Sequence, residues 1–177
     1  MSTGGYTTVF HEGGGKSDHG VAIAYRTDSF QMAELRPIDL NDVAHHVRDH
    51  NFATRCQQDN AALLMILKPW ETSTFPTALC IATFQLASDP QLEEVRMLQA
   101  KYLCSAIEVF NRNFQVPVIF AGSLNAPPGS DIYHVVLTGR PRPVPQPPQP
   151  PDRPVASKPT STSLTLTWQT PKSEVHT

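Results

Sequence analysis

The sequence predicts an α/β sandwich followed by a proline-rich spacer and a short β-rich tail. Three observations carry this. Two apolar runs, residues 60–67 (NAALLMIL) and 77–86 (TALCIATFQL), read as adjacent, largely buried strands. A long amphipathic stretch, residues 89–114, separates the second run from another apolar segment at 116–121, which makes a strand–helix–strand unit. Eight of the 17 prolines fall within residues 140–154, RPRPVPQPPQPPDRP. Proline lacks an amide donor and fixes φ, so this run predicts an extended polyproline II spacer rather than helix or sheet.

Residues 20–26 (GVAIAYR) and 30–35 read as two strands joined around Thr27-Asp28. Residues 41–50 have helical spacing, with Val43 and Val47 on one face. The loop between the two apolar runs contains Pro69 and Pro76. The helix of 89–114 has Asp89 as N-cap, Pro90 at its first position, and Glu93 and Glu94 near its positive end. Leu92, Val95, Leu98, Tyr102, Ala106, Val109 and Phe110 supply its predicted sheet-facing stripe. Val118, Ile119 and Phe120 form a buried strand that breaks at Gly122 into a Ser-Leu-Asn-Ala-Pro-Pro-Gly turn, and a helix resumes from Ser130. In the tail, Leu164, Leu166 and Trp168 alternate with Ser163, Thr165 and Thr167, the pattern of a half-buried strand. The expected boundaries are 1–139, 140–154 and 155–177.

Composition narrows the function classes. Lys and Arg number 14 against 16 acidic residues, a net charge of −2, so no nucleic-acid footprint is visible at whole-chain level. Cys56, Cys80 and Cys104 are widely spaced and odd in number, and read as core thiols of a reducing compartment. MSTGGYTT carries no basic-then-apolar leader, and no apolar run approaches the ~20 residues that span a bilayer. Cytosolic or nuclear residence without a membrane is therefore expected. His46 and His50 have i,i+4 spacing, but a third ligand is not evident, so with His45 they read as a solvated helix face rather than a zinc site. The Gly13-Gly14-Gly15 run lacks phosphate-loop spacing and reads as a loop.

Several motifs in order resemble the deadenylase/nocturnin branch of the endonuclease/exonuclease/phosphatase superfamily. Lys16-Ser17-Asp18-His19-Gly20-Val21-Ala22-Ile23-Ala24-Tyr25-Arg26, followed by Phe30, is similar to its Asp-Gly-Cys-Ala-x-Phe-Tyr strand, and Asn41-Asp42 takes the place of an Asn after the next strand. Asp59-Asn60-Ala61-Ala62 resembles Asn-x-Val-Ala. Cys80–Leu86 parallels a strand ending in Thr-His-Leu, and Gly122-Ser123-Leu124-Asn125-Ala126-Pro127 resembles Gly-Asp-Phe-Asn followed by a small residue and a proline. Residues 6–139 are covered. The resemblance implies an incomplete two-sheet sandwich of that superfamily, with outer strands missing and sheet edges exposed. Its activity would be Mg²⁺-dependent phosphodiester cleavage. Among the matching positions only Asn125 keeps the family residue: Ser123 stands where the Asp is expected and Gln85 where the His is expected. The early Glu strand and the late Ser-Asp-His motif fall outside the chain. The tail resembles the opening Ser-Leu-Thr-Leu-x-Trp strand of a fibronectin type III domain, which makes residues 155–177 a truncated stub.

The expectation is therefore a degenerate, non-catalytic nuclease-like chain with no cofactor. One alternative is an Mg²⁺-dependent 3′-exoribonuclease or phosphodiesterase within a longer active protein, in which case RNA is its substrate. Another is an interaction module. Arg142-Pro143-Val144-Pro145-Gln146-Pro147-Pro148 fits R-x-x-P-x-x-P, and Pro148-Gln149-Pro150-Pro151-Asp152-Arg153 fits P-x-x-P-x-R. Arg142, Pro145, Pro148, Pro151 and Arg153 are then the residues for a Src-homology-3-type or other polyproline-binding partner.

Overall fold

The computed structural model describes residues 5–14, 19–71, 77–140 and 142, and the backbone of 155–156 and 166–167. The chain divides into two compact units, Met1–Arg142 and Pro143–Thr177.

In the first unit, β1 (Tyr6–Glu12) and β2 (Gly20–Arg26) pair antiparallel as a two-stranded sheet. A second sheet has the order β3 (Phe30–Asp39), β4 (Ala61–Pro69), β5 (Leu79–Gln85), β6 (Val118–Ser123). The first three run antiparallel. β6 is parallel to β5, and the helix α2 (Glu93–Asn111) makes the crossover that a parallel pair requires. The strands flanking Thr27-Asp28 thus belong to different sheets. Their corner is held by Trp70, whose indole donates to the Thr27 carbonyl at 2.9 Å.

The unbroken apolar run of β4 has a direct cause. Ala61, Leu63, Met65 and Leu67 pack with Val21 and Ile23 of β2. Ala62, Leu64 and Ile66 pack with Ala100, Leu103, Ile107 and Phe110 of α2. A strand covered on both faces has no polar side to show.

Three expectations need correction. Residues 41–50 do not form one helix. A 3₁₀ turn spans Leu40–His46 and ends at Val47 in extended backbone, and α1 (His50–Arg55) starts afresh. Two aspartates cause the split: Asp39 accepts from the Asn41 amide at 2.8 Å, and Asp49 from the Phe52 amide at 3.0 Å. The sheet-facing arc of α2 is also rotated. Val109 is half exposed, while Arg96 and Gln99 are buried. Val95, Leu98 and Tyr102 instead meet Val43, Val47 and Cys56 of the preceding segment. Finally, β6 does not break at Gly122 but continues to Ser123, and much of it is exposed, with Val118 and Ile119 nearly half so.

The start of the long helix matches its sequence signals. Asp89 accepts from the Gln91 amide at 2.8 Å, and Pro90 opens a 3₁₀ turn, Pro90–Leu92, that leads into α2. α3 (Asp131–Thr138) follows β6, with Ser130 as N-cap and left-handed Gly139 as stop. No helix among the described residues is long and apolar enough to cross a membrane.

In the second unit, β7 (Val155–Ala156) pairs antiparallel with β8 (Leu166–Thr167). Pro145, Pro148, Pro151, Arg153, Leu164 and Trp168 lie outside the described residues, and with them most of the spacer and the fibronectin-like strand.

Candidate functional site

Because β5 and β6 are parallel, their C-terminal ends finish side by side. Gln85 sits opposite Ser123 in the register. The strands approach so closely here that a Cβ on Gly122 would collide with the Phe84 carbonyl, which accounts for glycine at this corner. Beyond the strands the Leu86 amide donates to the Ser123 carbonyl at 3.0 Å.

Asn125 then turns back into the corner. Its backbone is left-handed, with φ 48°, a conformation asparagine tolerates better than most residues. The Asn125 Nδ2 donates to the Leu86 carbonyl at 2.7 Å, and the Ser123 hydroxyl donates to the Asn125 Oδ1 at 2.9 Å. Asn125, Ser123 and Gln85 are therefore brought to one place. Two of them are engaged with each other.

On β5, alternate residues Cys80, Ala82 and Phe84 enter the helix-side core, whereas Ile81 joins the core between the sheets. Gln85 follows the parity of Ile81. It borders a cavity of about 130 Å³ whose walls also include Ser88, Gln58, Asp59, Asn60 and His19. No lysine or arginine among the described residues lines it. Asn41 fixes one wall by accepting from the Gln58 and Asp59 amides at 2.8 and 3.2 Å. Asp59 is itself left-handed, with φ 54°, and its carbonyl lies so close to Gly13 that a Cβ there would overlap it.

Two buried polar residues of α2 brace the opposite wall. Gln99, fully buried, accepts from the Ala87 amide at 2.9 Å and donates to the Asn60 Oδ1 at 3.1 Å. Arg96 donates to the carbonyls of Ala87, Asp89 and Pro90. Together they hold the segment that carries Ser88 and the Leu86 carbonyl. Neither residue stood out in the sequence reading. The available signal was a polar residue on the apolar arc of an amphipathic helix. His11, on β1, was likewise not singled out by itself; its Nε2 is buried without a hydrogen-bond partner.

The histidines predicted as a helix face divide between two elements, His45 and His46 in the 3₁₀ turn and His50 in α1, so His46 and His50 do not share a helix. The described residues contain no group of three His, Cys, Asp or Glu able to hold a metal. Mg²⁺ prefers charged oxygen ligands in an octahedral set. The Ser123–Asn125 corner offers a hydroxyl and an amide, and Asp59 is the one carboxylate lining the cavity among the described residues, so the described residues do not fit Mg²⁺. Nor is there an activated thiol. Burial pushes Cys80 up to about 11 and raises Cys56 and Cys104, which keeps all three protonated near neutral pH. Arg142 lies apart from this site. It pairs with Asp131 at 3.3 Å and donates to the Gly129 carbonyl at 2.9 Å.

Comparison with known proteins agrees with this architecture. The sequence profile of the endonuclease/exonuclease/phosphatase family matches residues 2–174, a span that runs through the proline-rich segment and into the tail. The chain is 24% identical over 139 residues to protein angel homolog 2 of Bos taurus, covering 77% of this chain and 24% of that protein. It is 22% identical over 135 residues to carbon catabolite repressor protein 4 homolog 2 of Arabidopsis thaliana, covering 68% of this chain and 22% of that one. The chain thus spans about a quarter of the length of these curated relatives. Among solved structures, ANGEL2, a 2′,3′-cyclic phosphatase in complex with adenosine-2′,3′-vanadate, superposes with a TM-score of 0.61 at 21% identity, covering 75% of this chain and 36% of that one. The human Nocturnin catalytic domain with bound sulfate gives 0.61 at 20% identity, with 76% and 48% covered.

Proposed function

The chain belongs to the endonuclease/exonuclease/phosphatase family, as a nuclease- or phosphatase-type member related to angel and nocturnin, and from that premise we propose that it is a non-catalytic member. One observation carries the reading. At the family's acidic corner this chain has Ser123, whose uncharged hydroxyl donates to Asn125 and brings no carboxylate for a metal. Gln85 beside it donates and accepts hydrogen bonds but cannot become cationic. Removing one transition-state stabiliser costs roughly 10²–10³ in rate, and here two positions are neutralised. Assays with Mg²⁺ on poly(A) RNA, abasic DNA, a nicotinamide dinucleotide phosphate and a 2′,3′-cyclic nucleotide test the reading. Turnover that disappears in Asn125→Ala would defeat it.

A second reading is favoured by length: the chain spans about a quarter of its curated relatives, so it would be one part of a longer Mg²⁺-dependent phosphodiesterase acting on RNA. A longer reading frame with an upstream Glu strand and a downstream Ser-Asp-His motif would support it. The proline-rich segment is proposed separately as a ligand for Src-homology-3-type domains, through Arg142, Pro145, Pro148, Pro151 and Arg153. Because Arg142 is already paired with Asp131, Asp131→Asn should strengthen that binding, and an unchanged affinity would exclude Arg142 from it. The alternation of Leu164, Leu166 and Trp168 supports reading residues 155–177 as the opening of a fibronectin-type sandwich. A tail extended by further strands should then fold independently of residues 1–139. Residence in the cytosol or nucleus goes with these readings, and a tagged full chain observed by microscopy tests it.

A further inference from the structure

The cavity beside Gln85 has a lining suited to something other than a phosphate ester. Among the described residues Asp59 is the carboxylate that lines it, no lysine or arginine faces it, and His19 borders it as well. Its remaining capacity is of the amide type. Gln99 occupies the Asn60 Oδ1, which leaves the Asn60 Nδ2 to donate. The Gln58 Nε2 is used on the Arg55 carbonyl, which leaves its Oε1 to accept. Gln85 and Ser88 each offer a donor and an acceptor. Side-chain amides of this kind match the mixed donor–acceptor edge of a nitrogen heterocycle. Size narrows the class. A cavity of about 130 Å³ is close to the ~150 Å³ that accommodates a benzene ring, so it seats one six-membered ring with any sugar outside.

We infer that this cavity binds an uncharged pyrimidine-type heterocycle, as a free base or nucleoside, and disfavours the phosphorylated form. The inference rests on the reading that the chain does not hydrolyse phosphodiesters, because Gln85, which stands at the histidine position of the resembled motif, borders this cavity. Asp59 supplies the discrimination. A carboxylate within several ångströms of a phosphate repels it by an amount worth roughly tenfold in affinity at the effective dielectric of a partly exposed site.

The test is titration of the full chain, in chelator, with cytidine, uridine, adenosine and the 5′-monophosphates of cytidine and uridine. Saturable binding of cytidine or uridine is expected, about tenfold tighter than that of the matching monophosphate. Asp59→Asn should close that gap, since asparagine tolerates the left-handed backbone at this position while losing the charge. Gln85→Leu should abolish nucleoside binding. If Gln85→Leu melts early, the Asp59→Asn comparison still decides, because it is a ratio of two ligands on one protein. No saturable nucleoside binding, a monophosphate that binds as well as its nucleoside, a gap unchanged by Asp59→Asn, or adenosine binding better than both pyrimidine nucleosides would overturn the inference. Phosphodiester turnover would sink the proposed function without altering the nucleoside-to-monophosphate ratio, so the two failures are distinguishable.

Discussion

The Ser123 hydroxyl donates to the Asn125 Oδ1 at 2.9 Å, and the Asn125 Nδ2 in turn donates to the Leu86 carbonyl. The pair thereby ties the end of β6 to the segment after β5. In the related enzymes that the sequence resembles, this corner holds an acid. Here the hydroxyl donates to the amide oxygen, and the amide nitrogen donates to the Leu86 carbonyl.

Restoring the acid alone should not restore chemistry. Ser123→Asp adds one carboxylate beside Asn125, while Gln85 remains unable to carry a positive charge and the described residues contain no group of three acidic, histidine or cysteine side chains able to hold a metal. The variant should show no Mg²⁺-dependent hydrolysis of poly(A) RNA above the unvaried chain. Rescue of turnover by this single change would refute the reading.

Gln99 should contribute measurably to stability. It is fully buried and joins the Ala87 amide to Asn60. Gln99→Leu keeps the volume but leaves both partners without it, and an unpaired buried polar group costs about 1–3 kcal/mol. Urea denaturation should show a loss of that size. An unchanged midpoint would mean that the partners find water instead.

Gly122→Ala should destabilise by about 1–3 kcal/mol, the usual cost of overpacking a tight contact. The added methyl meets the Phe84 backbone, which lies within the sheet and has little room to retreat. Thermal melting checks this. A melting temperature within error of the parent would show that β6 yields readily, as an exposed edge strand could.

Alkaline solutions should weaken the fold through Cys80. Its thiol is raised from 9.0 to about 11 by burial, so the folded chain holds a proton that the unfolded chain has begun to lose. Stability is unimpaired below 9.0 and falls as the pH rises toward about 11. Stability measured across that window should decline less steeply in Cys80→Ala. Equal slopes in the two proteins would assign the decline to other groups.

How much could be read beforehand depended on whether a feature was local. The cap of Asp89, the helix that starts after Ser130 and the buried run of β4 follow from signals within a few residues, and each is present. The rotation of α2 was not legible, because two neighbours share the helix. Its sheet arc takes Ala100, Leu103 and Ile107, and its flank takes Val95 and Leu98. The helix predicted at 41–50 failed because Asp39 and Asp49 each cap a separate short turn, which spacing of Val43 and Val47 does not reveal. At the site, Ser123, Asn125 and Gln85 were identified from motif order. Asp59 and Asn60 become visible as a cavity wall, and Gln99 as the residue bracing Asn60, only once residues some forty positions apart are brought together.

The most direct measurement of the central claim is hydrolysis of poly(A) RNA by the full chain in Mg²⁺, with Asn125→Ala assayed beside it. The account predicts that both proteins release nucleotide no faster than buffer alone. Release by the unvaried chain that vanishes in Asn125→Ala would contradict it, and would place an active phosphodiester site at the corner where Ser123 meets Asn125.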